Sequence, residues 1–298
     1  MEKLLKIKTR RYAAGASQYK RYTRSRVGNA FYFAFLLAAG AFSILPMIYC
    51  ICTSFKPLDE LLIFPPRFFV QRPTWENYLA LPNLLAKLRV PLSRYLFNSV
   101  FLTVFCTAIQ VVFASMAAYP LAKHKFPGQK VFFNMVVLSL LFTNEVTFIP
   151  LYIMLSSMHL INSYMALILP VAAFPLGLYL MRQNLLGFPD SVIESARIDG
   201  AKEATIFWHV IMPSNRAVWM TMLMFSFSSM WNRSDTAFIY TEAKKSLPTI
   251  LAQLSSAGIA RMGVGAAISV FMILPPILIF LITQSGVMET MANSGMKE

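Results

Sequence analysis

Long stretches nearly free of formal charge constrain this chain more than any motif does. Between Arg26 and Lys56 lie 29 uncharged residues, and between Arg94 and Lys123 another 28. From Val131 to Met181 run 51 residues whose one charge is Glu145, and Met262 to Met288 adds 27 more. A helix needs about 20 apolar residues to cross the hydrocarbon core of a bilayer. The first, second and last stretches therefore each predict one span, and the 51-residue stretch predicts two, joined near 156–163. Ala217 to Asn232, 16 uncharged residues that extend at both ends, predicts a further one. The expected fold class is an all-α membrane protein with six transmembrane helices, over about 27–53, 95–121, 131–155, 162–184, 214–236 and 263–285. Composition agrees: 57% of residues are hydrophobic and 13% charged, against about a quarter charged in soluble domains.

An even number of spans places both termini on one side. The first 26 residues carry nine Lys or Arg against the single acid Glu2, and the positive-inside rule makes their side cytoplasmic. With that topology 17 Lys or Arg fall inside and 10 outside. Six of the outer ones lie in the loop from Lys56 to Arg94, and long loops translocate largely regardless of charge. The chain then divides into a basic arm (1–26), a six-span transmembrane domain (27–288) and a cytoplasmic tail (289–298). In the arm, Lys20, Arg21, Arg24 and Arg26 suit anionic lipid head groups, and no nucleic-acid-binding motif accompanies them. The first apolar run is about twice a secretory h-region and is followed by more spans, which argues against a cleaved signal.

The segment 187–213 stands out. Pro189 and Asp190 are placed to open a helix, Ser191 and Glu194 have capping-box spacing, and Gly200 supplies a permissive turn before a second helix ending near Pro213. That second helix puts Ala204, Phe207 and Ile211 on one face, with Ile206 and Val210 adjacent, and Lys202, Glu203 and His209 elsewhere. Such a face must be buried against the protein's own spans, the lipid interface or a soluble partner, and spacing alone leaves the three open.

Glu194-Ser195-Ala196, followed by Asp199-Gly200-Ala201 and then Phe207 and Pro213, resembles the EAA signature of ABC importer permeases of the carbohydrate uptake type. The match departs at Ser195, where the usual residue is alanine. Ile149-Pro150-Leu151-Tyr152, Asn162, Trp231-Asn232 and Leu247-Pro248-Thr249 extend the likeness to the maltose-transporter-type second permease along nearly the whole chain. The tail Ser285 to Glu298 is similar to a subgroup importing complex oligosaccharides. This resemblance implies a heterodimer with a second permease, two ATPase subunits, an extracytoplasmic solute-binding protein and an oligosaccharide substrate, in a bacterial cytoplasmic membrane. It assigns ATPase coupling to Glu194, Ser195, Ala196, Asp199, Gly200, Ala201 and Phe207, with ATP and magnesium held by the partner ATPase. A basic outer loop and the tail suggest uronate-containing sugars.

The chain itself carries no Gly-x-x-x-x-Gly-Lys-Ser/Thr for nucleotide phosphates. Its three histidines, His124, His159 and His209, are scattered, and Cys50, Cys52 and Cys106 lack metal-ligand or disulfide spacing, so no catalytic, cofactor or metal residue is expected. Glu145, with Asn144 beside it, is the one acid deep in an apolar run, which makes both candidates for a translocation path or for an interhelical bond. Trp231 and Asn232 are candidates for the same path or for an interfacial anchor. The loops 56–94 and 235–261 are long enough to touch a binding protein. An intramembrane enzyme would show clustered acids or a nucleophile at membrane depth, and a secondary carrier would show polar breaks and an internal repeat. Neither rival explains the segment 187–213.

Overall fold

The computed structural model describes residues 26–86, 89–234, 237–255, 258 and 261–295. The basic arm before Arg26 and the last three residues of the tail lie outside them, as does the side chain of Asn144. Met1–Tyr49 and Cys50–Glu298 are separate compact units. Helix α1 (Arg26–Ser54) begins in the first unit and ends in the second, and it is exposed at every position from 27 to 46, as an apolar helix facing lipid should be.

In the second unit the described residues are helical or looped. A loop carrying α2 (Leu58–Leu61) and α3 (Glu76–Ala86) leads to the long α4 (Leu92–Lys123). Then follow α5 (Gln129–Ser139), α6 (Asn144–Ser157), α7 (Tyr164–Val171) and α8 (Pro175–Leu186). Next come α9 (Asp190–Ile198), a helical stretch 203–214 termed α10, and α11 (Arg216–Trp231). The last two are α12 (Leu247–Ser255) and α13 (Met262–Gly295). Among the described residues, four helical stretches are long and apolar enough to cross a membrane: Val27–Ser54, Leu92–Lys123, Tyr164–Leu186 and Met262–Met288.

The expected span 131–155 is broken, with α5 ending at Ser139 and α6 starting at Asn144. The physical reason is local polarity: Thr143 takes the extended N-cap conformation and Glu145 stands in the first turn of α6, where the helix dipole favours an acid. The expected span 214–236 is the 16-residue α11, about 24 Å at 1.5 Å per residue. The span 162–184 is interrupted at 172–174. Pro175 excludes the α conformation from the preceding residue, and Phe174 sits at φ −124°, ψ 79°.

That interruption has a structural cost which the neighbouring helix meets. Pro175 has no N–H for the carbonyl of Val171, four residues earlier. The buried Gln110 of α4 donates its Nε2 to that carbonyl at 2.7 Å, while its Oε1 accepts from the buried Ser226 hydroxyl of α11. One side chain thus joins three helices and satisfies a carbonyl that hydrocarbon cannot. At the end of α4 distant from 187–213, Asn98 donates to the carbonyls of Ala243 and Lys245, both at 2.9 Å, and accepts from the Tyr164 hydroxyl at 3.0 Å. Ser99 accepts the Leu247 N–H at 2.7 Å. Asn162, in the left-handed region at φ 63°, accepts the N–H groups of Tyr240 and Thr241. The loop before α12 is therefore pinned to α4 and to the start of α7.

Candidate functional site

The segment 187–213 folds as two helices about a turn, and its parts serve two different surfaces. Helix α9 begins after Pro189 with Asp190 in its first turn, and no side chain caps it. The capping box expected of Ser191 and Glu194 is thus absent. Ser195 instead donates its hydroxyl to the Ser191 carbonyl at 2.8 Å. Asp190 is drawn the other way, accepting from Lys123 Nζ at 2.6 Å, and the same ammonium donates to the Phe188 carbonyl at 2.6 Å. Lys123, only 7% exposed in its side chain, ties the start of the segment to the end of α4.

Helix α9 stops in a Schellman arrangement. Ala201 N–H donates to the Ala196 carbonyl and Gly200 N–H to the Arg197 carbonyl, both at 3.0 Å, with Gly200 left-handed at φ 81°. This pair of bonds satisfies carbonyls that the helix end would otherwise leave open. A Cβ at Gly200 would meet nothing within 4 Å, so glycine is required there for backbone conformation and not for space.

Helix α10 then returns toward the bundle. Ile206, Phe207 and Ile211 are buried with Ile193 against Ala114, Ala118 and Tyr119 of α4 and Met181 and Leu185 of α8. Of the face read from the sequence, Ala204 is exposed. The middle of α10, Ile206–Ile211, is a π-helix. Pro213 has no N–H for the carbonyl of His209 and its ring crowds that carbonyl, and a wider turn relieves both. Among the three candidate partners for this apolar face, the structure supplies the chain's own spans. Phe207, assigned by resemblance to coupling, belongs to this buried face.

A polar cluster locks the two helices together. Arg197 of α9 pairs with Glu203 of α10 at 2.8 Å, Tyr119 of α4 donates its hydroxyl to the same carboxylate at 2.8 Å, and His124 Nε2 lies 3.7 Å from it. Partial burial pushes the Glu203 carboxyl up, but the Tyr119 hydroxyl and the Arg197 guanidinium outweigh it and hold the group below its ordinary range. The carboxylate in turn raises Arg197. At the far end of α10, Asn215 is buried, donates to the Ile211 carbonyl at 2.6 Å and accepts from Asn184 of α8.

The opposite surface has no partner within the described residues. Glu194, Ser195, Asp199 and Gly200 are exposed, and so are the apolar side chains Val192 (42%), Ile198 (86%) and Trp208 (46%). Ala196 and Ala201 are half-buried at the seam. The segment thus presents a mixed apolar and acidic surface on a base keyed into α4 and α8.

The candidate path residues do not converge here. Glu145 is exposed at the start of α6. Trp231 is 2% exposed, stacks on Phe227 and donates its Nε1 to the Met272 carbonyl at 2.9 Å, which places it inside the packing of α11 on α13. Asn232 is exposed and donates to the Ser228 carbonyl of its own helix at 2.9 Å. An open cleft of about 340 Å³ between α4, α11 and α13 is lined by Thr107, Val111, Trp219, Leu223, Phe227 and Ile279 among others. Sequence reasoning missed Gln110, Asn98, Lys123 and Glu203. A lone amide inside an apolar run was the signal available for the first two.

The chain is 34% identical to the protein LplC of Bacillus subtilis (strain 168) over 228 residues, covering 74% of this chain and 73% of that protein. It is 28% identical to the polygalacturonan/rhamnogalacturonan transport system permease protein YtcP of the same organism, covering 78% of this chain and 79% of that protein. The crystal structure of a bacterial ABC transporter involved in the import of the acidic polysaccharide alginate contains a chain of like fold. Its TM-score is 0.73 at 23% identity, covering 88% of this chain and 98% of that one. The profile of the binding-protein-dependent transport system inner membrane component matches residues 110–287, and the chain belongs to that family.

Proposed function

We propose that this chain is one of two permease subunits of an ATP-driven, binding-protein-dependent oligosaccharide importer, coupled through residues 190–213 to separate ATPase subunits. The observation that carries the reading is the two-sided construction of that segment. One side is buried in the bundle, and the other exposes Ile198, Glu194, Asp199 and the left-handed Gly200. A docked partner that shifts the exposed side moves α4 and α8 with it, because Lys123, Tyr119, Ile206 and Ile211 bind the segment to those helices. Closure of two ATPase subunits around ATP would then swing the spans between inward-open and outward-open states, a rigid-body alternating-access scheme.

In this reading α5 with α6 forms the third crossing and α11 the fifth, giving six spans with both termini in the cytoplasm. The domain runs over 27–288, and the tail 289–298 lies inside. Asn144, Glu145, Trp231 and Asn232 remain candidates for the translocation path. The oligosaccharide class rests on relatives whose names specify arabinooligosaccharides and polygalacturonan or rhamnogalacturonan.

Deleting residues 190–213 would be a poor test, since it removes the buried Ile193, Ile206, Phe207 and Ile211. Ile198→Asp changes a side chain that is 86% exposed. The variant is expected to insert and to pair with the second permease, yet to lose the ATPase on affinity purification in mild detergent. Retention of the ATPase at the wild-type ratio would remove the coupling assignment.

A further inference from the structure

The loop after α1 buries two of its charges and exposes three of its large apolar side chains. Lys56 and Glu60 are 2% and 3% exposed, while Leu62, Phe64 and Phe69 are 60%, 92% and 68% exposed. The buried groups are occupied internally. Lys56 Nζ donates to the Arg67 carbonyl, and the Glu60 carboxylate accepts the N–H groups of Gln71 at 3.0 Å and Arg72 at 3.4 Å. Asn77 Nδ2 donates to the carbonyls of Ser54 and Lys56, at 2.9 and 2.7 Å, and Thr74 N–H donates to Phe55 at 2.8 Å. A loop built for water turns its phenylalanines inward. This one satisfies its buried Lys56 and Glu60 internally and presents an apolar edge beside its exposed charges, as backbone at the margin of lipid must.

The level of the loop in the membrane follows from what it rests on. Asn77 lies against Gly263, where a Cβ would come within 2.4 Å of Asn77 Oδ1, and Gly263 is the second residue of the apolar helix Met262–Met288. Tyr78 contacts Phe271 of the same helix with ring centroids 6.1 Å apart. At the other end the loop leaves α1 directly after Ser54. The exit from α1 after Ser54 and the contact of Asn77 with Gly263 thus hold the loop at the ends of two spans, where hydrocarbon gives way to head groups, while Tyr78 reaches inward to Phe271. Arg67, hydrogen-bonded to Gln71, and Arg72, ion-paired with Asp59, are both exposed beside the apolar edge, and aromatic and basic side chains together are what that boundary selects.

We propose that residues 62–69 are seated in the lipid interface, with Leu62, Phe64 and Phe69 in the acyl boundary and Arg67 and Arg72 at phosphate level. The continuous occupant of this surface is phospholipid, and the apolar edge is not a docking face for the binding protein or the second permease. That the leaflet concerned is the outer one rests on the permease reading above. The remaining surface of the loop, around Glu76 and Leu79, stays open to aqueous partners.

The test places photoreactive p-benzoylphenylalanine singly at Phe64, Phe69, Leu278 or Ile198 in the complete importer. The importer is reconstituted with its binding protein in vesicles of phosphatidylethanolamine and phosphatidylglycerol. Leu278, 58% exposed on α13, reports the lipid face, and Ile198 reports the coupling surface. On irradiation the labels at Phe64 and Phe69 are expected to give phospholipid adducts at yields within about twofold of Leu278, unchanged by removing the binding protein. Adducts with the binding protein or the second permease, or no lipid adduct where Leu278 gives one, would overturn the proposal. The Ile198 label separates the two readings, because failure to capture the ATPase there counts against the coupling assignment and leaves the lipid result standing. If the Phe64 label prevents assembly, the Phe69 label decides.

Discussion

Replacing Gln110 by leucine tests the claim that this amide exists to satisfy the carbonyl left open by Pro175. In the native chain Gln110 Nε2 lies 2.7 Å from the Val171 carbonyl, in a site where Gln110 is 4% and Ser226 0% exposed. Leucine keeps the volume and removes the donor, leaving the carbonyl and the Ser226 hydroxyl without their partner. An orphaned buried group costs about 1–3 kcal/mol, whereas interhelical bonds in membranes average only ~0.6 and reach ~1.7 kcal/mol, because the inserted but unassembled chain also finds partners. The expected loss is about 1–2 kcal/mol from those two ranges, roughly 2–4 °C of melting temperature per kcal/mol in a chain of this size. Pro175→Ala supplies an N–H at the position that can reach Val171 and frees Phe174 to turn helical. The double variant should therefore recover at least half of the loss, which thermal unfolding of the four proteins in lipid nanodiscs measures as a coupling energy. Equal losses from Gln110→Leu with and without Pro175 would refute the reasoning.

Three further outcomes follow from the segment and the opposite loop. Gly200→Val forces an L side chain into φ 81° with open space around it, a backbone cost of about 1–2 kcal/mol. It should lower sugar-stimulated ATP hydrolysis without affecting membrane insertion, while Gly200→Asn, which tolerates that region, should retain most of the stimulation. The Glu203 carboxyl is held below its ordinary value of 4.5, so the stability it adds is complete above that pH and disappears as pH falls through the lower folded value. The melting difference between wild type and Glu203→Gln should accordingly be flat from pH 7 to about 5 and shrink below about 4.5; a difference that grows on acidification would contradict the assignment. Asn98→Leu removes the bonds to Ala243, Lys245 and Tyr164 at about 1–3 kcal/mol. Hydrogen exchange at 241–247 should speed up while that at 196–211 stays unchanged, and equal protection in both regions would dismiss the clamp.

Several features were legible in the chain before any coordinates. Charge-free runs locate α1, α4 and α13, because a residue in hydrocarbon must be apolar regardless of what it touches. Gly200 between two amphipathic stretches marks its turn, because a left-handed stop has few residues that fit it. Other readings needed correction by neighbours. Ser191 and Glu194 have the spacing of a capping box, but Asp190 is engaged by Lys123 and α9 starts before the box can form. The run 131–155 is long and apolar enough in total for one span, yet the polar Thr143 and Glu145 are enough to end one helix and begin another.

What the sequence determined by itself is the class of solvent, the approximate places where the chain crosses it, and the turn at Gly200, all properties of single residues or short windows. Tertiary structure alone decided which face of 187–213 is spoken for, that Gln110 satisfies the carbonyl 61 residues away that Pro175 leaves open, and that the loop after α1 turns Phe64 and Phe69 outward. The reason is that hydrogen-bond satisfaction and burial are properties of pairs. In a chain with few polar groups inside lipid, each of them is intelligible only once its partner, distant in sequence, is in place.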